Sequence, residues 1–91
     1  MNQIAKHIIF TGRVQGVGFR FTALDIANRC NLTGFVRNLP DGTVEMLAQG
    51  SANDINDCIQ RIKEAFAGYI REVKIEEIPV NPQYKDFKIT F

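Results

Sequence analysis

The spacing of apolar residues changes several times along the chain and divides it into short elements. Residues 4–14 are rich in Ile, Phe, Thr and Val and contain glycine near their end, which is typical of a β-strand. From Phe19 onward, apolar residues recur at intervals of three and four, the spacing of a helix that buries one face. That apolar stripe consists of Phe19, Ala23, Ile26, Ala27 and Cys30. The pattern therefore predicts a strand and then a helix that ends near Asn31.

A β-hairpin is predicted next. Residues 34–39 and 43–49 have strand composition, and the segment Leu39-Pro40-Asp41-Gly42 lies between them. Proline presets φ at the second turn position, aspartate suits the third, and glycine adopts the left-handed conformation. The two strands are therefore expected to pair through this turn.

The second half of the chain repeats the helix and strand signals. Ser51-Ala52-Asn53-Asp54 is typical of a helix start, with Ser51 or Asn53 as the cap. The expected buried face consists of Ile55, Cys58, Ile59, Ile62 and Phe66, and Gly68 is expected to end the helix. Residues 70–78 follow as a fourth strand. A short final strand is indicated by the alternation of Phe87, Ile89 and Phe91.

The predicted order is β-α-β-β-α-β with one extra strand. This order is typical of an α+β, ferredoxin-like split β-α-β fold, an antiparallel sheet with two helices on one face and a short extra C-terminal strand. A helical crossover joins the first two strands, so they should run parallel and end at the same edge of the sheet. We therefore expect the loop at residues 16–20 and Asn38 to lie on one rim.

Composition narrows the classes of function. The chain has 91 residues and a net charge of +1, so residues 1–91 are expected to form one domain without a broad basic surface. An RNA-recognition motif has the same element order but stacks bases on aromatic residues of its third strand, and residues 43–49 contain none. Neither nucleic acid nor a membrane is expected as a partner. Without a signal peptide or a membrane-length apolar run, a cytoplasmic location is the default. The thiols of Cys30 and Cys58 are expected to be reduced and buried.

The glycine loop between the first strand and the first helix has two interpretations. Gly16-x-Gly18 matches neither the dinucleotide-binding fingerprint nor a Walker A loop, so it is consistent with a tight turn alone. However, a helix N-terminus presents unpaired N–H groups and partial positive charge. The guanidinium of Arg20 would add a fork of donors for a tetrahedral oxyanion. The alternative for Arg20 is an exposed residue paired with Asp25.

Asn38 and the remaining polar residues also have alternatives. Asn38 either caps the turn that follows it or orients a water molecule. Arg37 should point to the opposite face of the sheet, as a surface residue. His7 has no partner with which to form a catalytic triad and is expected to be structural or exposed. Asp54 and Asp57 are expected to act as a helix cap and on the solvated face of the second helix. No metal site and no cofactor are predicted.

Two segments carry a family resemblance. Residues 12–20, GRVQGVGFR, and residues 34–45, GFVRNLPDGTVE, closely resemble the two signature motifs of the acylphosphatases. The resemblance covers the whole chain in length and element order. It implies that the loop backbone and its final arginine bind phosphate, at Gln15, Gly16, Val17, Gly18, Phe19 and Arg20. It also implies that Asn38 positions the attacking water, so Arg20 and Asn38 are the expected catalytic residues.

The same resemblance implies an activity. The expected reaction is metal-independent hydrolysis of a small acyl phosphate to a carboxylate and inorganic phosphate, without a cofactor. The oligomeric state stays open, with a monomer as the default. Phe35 departs from the tryptophan common in the family, and Cys30-Asn31-Leu32 replaces a commoner Leu-Gly-Leu. Two alternatives stay open: a phosphate-binding module without turnover, and a domain of a larger carbamoyl-transfer maturation protein.

Overall fold

Two helices and five strands follow one another in the predicted order. The computed structural model describes residues 2–91. Its elements are β1 (Ile4–Gly12), α1 (Phe19–Arg29), β2 (Thr33–Asn38), β3 (Val44–Gly50), α2 (Ala52–Ala65), β4 (Ile70–Ile78) and β5 (Phe87–Ile89). The predicted α+β, ferredoxin-like fold is confirmed.

The order of strands in the sheet determines where the candidate residues lie. The order is β4-β1-β3-β2-β5, and both β1 and β2 pair antiparallel with β3. Consequently β1 and β2 run in the same direction, as predicted. Phe10 near the end of β1 and Asn38 at the end of β2 both pair with Val44 of β3. The loop after β1 and the end of β2 therefore lie on one rim.

The last strand adds one parallel pair to a sheet that is otherwise antiparallel, as predicted. β5 pairs parallel with β2, with Gly34 opposite Phe87. β4 and β5 occupy opposite edges, about 19 Å apart for four strand spacings. The connection at residues 79–86 can span about 27 Å when extended. It crosses at the end of the sheet where β1 and β2 begin, so β5 returns antiparallel to β4 and parallel to β2.

A buried amide holds this crossing segment against the sheet. Gln49 of β3 is only 2% exposed. Its Nε2 donates to the carbonyl oxygen of Asn81 at 2.9 Å, and its Oε1 accepts from the Asn81 N–H at 2.9 Å. The side chain thus pairs with the backbone of residue 81, which satisfies a polar group that would be costly to bury alone. This contact lies at the end of the sheet away from the predicted site.

Aromatic packing fixes the start of α1. Phe19, 2% exposed, lies between Phe10 of β1 and Phe66 beyond the end of α2. The ring centroids are 4.9 Å apart for Phe10 and Phe19 and 4.6 Å apart for Phe19 and Phe66. Aromatic side chains bury a large apolar area, and pairs of rings prefer particular relative orientations. The first turn of α1, which contains Arg20, is therefore anchored to both a strand and the other helix.

Both cysteines are buried and free, as predicted. Burial raises the pKa of the Cys58 thiol to about 12, with a smaller contribution from the neighbouring Cys30. Burial and the nearby carboxylate of Asp57 also raise the pKa of Cys30. Both groups are therefore held as neutral thiols and act as small apolar residues in the core.

The helix ends differ slightly from the predictions. α1 ends at Arg29 rather than near Asn31, because the chain reverses through Asn31 with a left-handed φ of 58°. Ser51 caps α2, its hydroxyl accepting from the Asp54 N–H at 3.1 Å. α2 ends at Ala65, before the predicted Gly68. Within the α1 stripe, Ile26 is half-buried, whereas the other four members are fully buried.

Gly34→Ala is expected to destabilise the protein by at least about 3 kcal/mol. Gly34 has a φ of +132°, and an added Cβ would overlap the carbonyl oxygen of Leu47 on the neighbouring strand. Urea unfolding measures the loss. Gly68→Ala is the matched control, since a Cβ added at Gly68 would meet no heavy atom within 4 Å and its φ is not positive. Equal stability losses in both variants would contradict the steric explanation.

Candidate active site

A cleft opens at the rim where β1 and β2 end. Its volume is about 190 Å³, and it is lined by Val14, Gly16, Gly18, Phe19, Arg20, Phe21 and Asn38. The structure therefore brings together five of the seven residues predicted from the sequence. The other two, Gln15 and Val17, are not among the lining residues. Val17 packs instead against the hydrophobic core.

The start of α1 supplies backbone donors to this cleft. Gly18 is the N-cap, in the left-handed conformation with φ 79° and ψ 16°, and no side chain caps the helix. The first bond of the helix runs from Thr22 N–H to Gly18 O at 3.1 Å. The N–H groups of residues 19–21 thus precede the helical hydrogen bonds. This end of α1 carries the partial positive charge of the helix dipole, which favours an anion.

Arg20 follows directly in the first turn of α1. It lines the cleft and forms no ion pair with any residue in the range 2–91. Asp25, the alternative partner considered from the sequence, instead bonds to Arg29 at 3.0 Å. The guanidinium carbon of Arg20 lies 5.3 Å from the centroid of the Phe91 ring. Its donors are therefore not committed to a protein carboxylate.

Asn38 contributes an unpartnered acceptor. Its Oδ1 is buried and has no hydrogen-bond partner among the described residues. The turn that Asn38 was expected to cap, as one alternative, is held by Asp41, whose Oδ1 accepts from Thr43 N–H at 3.0 Å and from Thr43 Oγ1 at 2.6 Å. A buried acceptor without a donor costs free energy. Within residues 2–91, the side-chain oxygen of Asn38 therefore does not cap that turn, which Asp41 holds instead.

Two features of the cleft were missed from the sequence. Phe21 lines it although its side chain is 69% exposed. Its position off the apolar stripe of α1, next to Arg20, is the one signal that could have singled it out. The side chain of Gln15 turns away from the cleft, and its Nε2 donates to Leu39 O at 2.8 Å and Thr43 O at 2.9 Å. No periodic pattern predicts that contact.

A cluster of three polar side chains, His7, Arg37 and Glu45, lies on the other face of the sheet. His7 Nε2 is 2.7 Å from Glu45 Oε2, and Arg37 donates to Glu45 Oε1. Burial tends to raise the pKa of Glu45, but hydrogen bonds from His7 and Arg37 outweigh it, so the pKa is lowered. Arg37 and Asn38 are adjacent in β2 and therefore point to opposite faces. As predicted, His7 and Arg37 lie away from the cleft.

Among residues 2–91, the His, Cys, Asp and Glu side chains form no group of three that could hold a metal ion. Asp57 pairs with Arg61 at 3.1 Å on the exposed face of α2. Within the same residues, no helix combines the length and apolar character needed to cross a membrane.

Comparisons of the sequence and of the fold with known proteins point to one family. The sequence model of the acylphosphatase family matches residues 6–89. The acylphosphatase of Chlorobaculum tepidum is 40% identical over 90 residues, which make up 98% of each chain. The crystal structure of acylphosphatase from Bacillus subtilis matches with a TM-score of 0.87 at 30% identity, over 97% of this chain and 99% of that chain.

The fold of this chain is also similar to one part of a larger protein. HypF from T. kodakarensis matches with a TM-score of 0.84 at 32% identity, over 97% of this chain but only 12% of the HypF chain. The Chlorobaculum and Bacillus acylphosphatases, by contrast, match over almost their whole length. Taken together with the cleft at the rim of β1 and β2, these matches show that the chain belongs to the acylphosphatase family, the enzymes that hydrolyse acyl phosphates to a carboxylate and inorganic phosphate.

Proposed function

We propose that this protein hydrolyses acyl phosphates by holding the phosphoryl group at the start of α1 and directing a water molecule from Asn38. The observation that carries the proposal is one cleft lined by the start of α1, Arg20 and Asn38. Within residues 2–91, no side chain caps that helix, no carboxylate pairs with Arg20, and Oδ1 of Asn38 has no hydrogen-bond partner. In this proposal residues 1–91 act as a single domain. The cleft is lined by residues from a single stretch of the sequence, 14–38, so one chain can supply the whole site, and the proposed enzyme acts as a monomer.

The phosphoryl group is held by charge and by backbone donors. The amides of residues 15–20 and the Arg20 guanidinium bind its oxygens, the guanidinium through two donors in a fork. Transfer of a phosphoryl group develops charge on those oxygens, and donors already in place stabilise that charge without reorganisation. The uncapped start of α1 and the absence of a carboxylate partner for Arg20 among residues 2–91 support this role.

Asn38 then orients the nucleophile. Its side-chain amide lines the cleft and holds a water molecule there, and that contact aims the water oxygen at phosphorus. The new bond forms between the water oxygen and phosphorus, while the bond from phosphorus to the acyl oxygen breaks. The carboxylate leaves with the electron pair, and a phosphate oxygen takes the proton of the water. Orientation of this kind contributes much of the rate in reactions of two bound species.

The leaving group explains why so few catalytic side chains suffice. A carboxylate has a conjugate acid with a pKa of about 4, so it leaves without a proton donor. An alkoxide from a phosphate monoester needs a general acid, and the cleft-lining residues include no histidine, carboxyl group or lysine. Acyl phosphates are therefore the substrate class that this cleft fits. In the same proposal the enzyme works in the cytoplasm, a reducing compartment in which thiols such as those of Cys30 and Cys58 stay reduced.

Release of inorganic phosphate from benzoyl phosphate tests the proposal directly. An enzyme releases phosphate over many turnovers with a rate proportional to protein concentration. A module that binds phosphate without turnover would leave benzoyl phosphate intact beyond its spontaneous hydrolysis. That second result would favour the binding-module alternative and overturn the proposed activity.

EDTA is expected to leave kcat on benzoyl phosphate unchanged. The proposed clamp uses backbone amides and a guanidinium, and the residues that line the cleft include none of the usual metal ligands His, Cys, Asp or Glu. The assay compares protein dialysed against EDTA with the same sample after MgCl₂ is restored in excess. Loss of activity that returns with magnesium would contradict a metal-independent reaction.

A further inference from the structure

The side chain of Gln15 joins the loop that follows β1 to the hairpin that follows Asn38. Its Nε2 donates to Leu39 O at 2.8 Å and to Thr43 O at 2.9 Å, so both amide hydrogens are used. These carbonyls belong to residues 24 and 28 positions away in sequence. Two carbonyl acceptors also determine the orientation of the amide, because its oxygen could not donate to either.

The same carbonyls close the turn between β2 and β3. Leu39 N–H donates to Thr43 O at 2.9 Å, and Gly42 N–H donates to Leu39 O at 3.1 Å. The Gln15 amide therefore adds a second donor to carbonyls that already have one. Removing it leaves the turn with its own backbone hydrogen bonds and leaves neither carbonyl unpartnered. A purely structural reason for this contact is correspondingly weak.

The position of the contact points to the reaction. Leu39 is the residue after Asn38, and Gly16, the residue after Gln15, lines the cleft. One side chain thus connects the two walls of the cleft, the loop after β1 and the hairpin that begins at the end of β2. A displacement of about 1 Å between a nucleophile and its target can cost about 10²-fold in rate.

We propose that Gln15 is a positioning residue, whose side chain holds the phosphate-binding loop at the distance from Asn38 that places the water in line with phosphorus. This inference rests on the proposed function. In it, the side chain of Gln15 does not touch the phosphate and acts only through the hairpin. The side chain should therefore influence the chemical step more than the binding of phosphate.

Gln15→Met tests this, because it keeps the length of the side chain and removes both donors. We expect kcat on benzoyl phosphate to fall about tenfold or more, with less than about a threefold change in the inhibition constant of inorganic phosphate. Gln49→Met is the matched control, since it also removes two side-chain hydrogen bonds to backbone, at the far end of the sheet. It should lower the melting temperature and leave kcat unchanged.

A double-mutant cycle with Asn38→Ala then asks whether Gln15 acts through Asn38. If it does, adding Gln15→Met to Asn38→Ala should change kcat by less than about twofold, far from the product of the two single effects. Gln15→Glu, which also lacks the amide donors, provides a second variant should Gln15→Met fail to fold by circular dichroism.

Each outcome has a separate meaning. Unchanged kcat in folded Gln15→Met and Gln15→Glu overturns the positioning role, as does multiplication of the two effects in the cycle. An equal kcat loss in Gln49→Met would assign the effect to stability instead. If Asn38→Ala alone leaves kcat unchanged, the proposed role of Asn38 fails, and this failure is recognised independently of Gln15. Absence of turnover by the wild type would instead overturn the proposed function.

Discussion

Arg20→Lys is expected to reduce kcat on benzoyl phosphate by about 10²–10³-fold while the protein stays folded. Lysine keeps the positive charge but has a single ammonium point in place of the planar fork, so it cannot hold two phosphoryl oxygens at once. Arg20 makes no ion pair among residues 2–91, so little stability depends on it. Phosphate release measures the activity, and thermal unfolding measures the fold.

Arg29→Lys is the matched control for this prediction. Arg29 lies on the same helix, and its guanidinium pairs with Asp25 at 3.0 Å on an exposed surface. The same substitution there should leave kcat within about twofold of the wild type, since exposed ion pairs contribute little. If Arg20→Lys also retained wild-type turnover, the fork would not be the group that stabilises the transition state.

Asn38→Ala is expected to reduce kcat by about 10²-fold, with a much smaller change in the inhibition constant of inorganic phosphate. The reason is that Asn38 acts on the water, whereas Arg20 and the start of α1 hold the phosphoryl group. Because Oδ1 of Asn38 is buried without a partner among the described residues, its removal should leave the free energy of unfolding unchanged or up to about 1 kcal/mol higher. Urea unfolding and steady-state kinetics measure both quantities.

The combination of lower activity and unimpaired stability is the informative result. A residue retained for packing would lose stability when truncated, and its kinetic defect would follow from unfolding. A parallel rise in the phosphate inhibition constant would instead assign Asn38 to binding. Asn28→Ala, an exposed change on α1, controls for the loss of an amide as such and should alter neither quantity.

Local patterns predicted most of the fold. The helical stripe that begins at Phe19 and the turn at residues 39–42 carry their own physical signals, and both lie where these signals indicated. The pairing of β5 could not be predicted, because the alternation of Phe87 and Ile89 indicates a strand without indicating its neighbour. Its place beside β2 depends on the crossing at residues 79–86, which Gln49 holds from 32 residues away.

Only part of the candidate site could be predicted from the sequence. The topology of β1 and β2 brought Arg20 and Asn38 to one rim, and the motif resemblance suggested their roles. The contact of the Gln15 side chain with residues 39 and 43 could not be predicted, since an aperiodic loop gives no indication of side-chain direction. Phe21 was missed for a related reason: residues off the apolar stripe are usually solvated, and only the cleft distinguishes this one.

The stacking of Phe19 between Phe10 and Phe66 has a consequence for inactivation by heat. Arg20 is the next residue after Phe19 on a helix turn that cannot shift unless those rings separate. The three rings come from β1, from α1 and from the residue that follows α2. They can therefore separate only when the core itself unfolds. Catalytic failure and global denaturation should therefore share one transition, with no partially unfolded, inactive species before it.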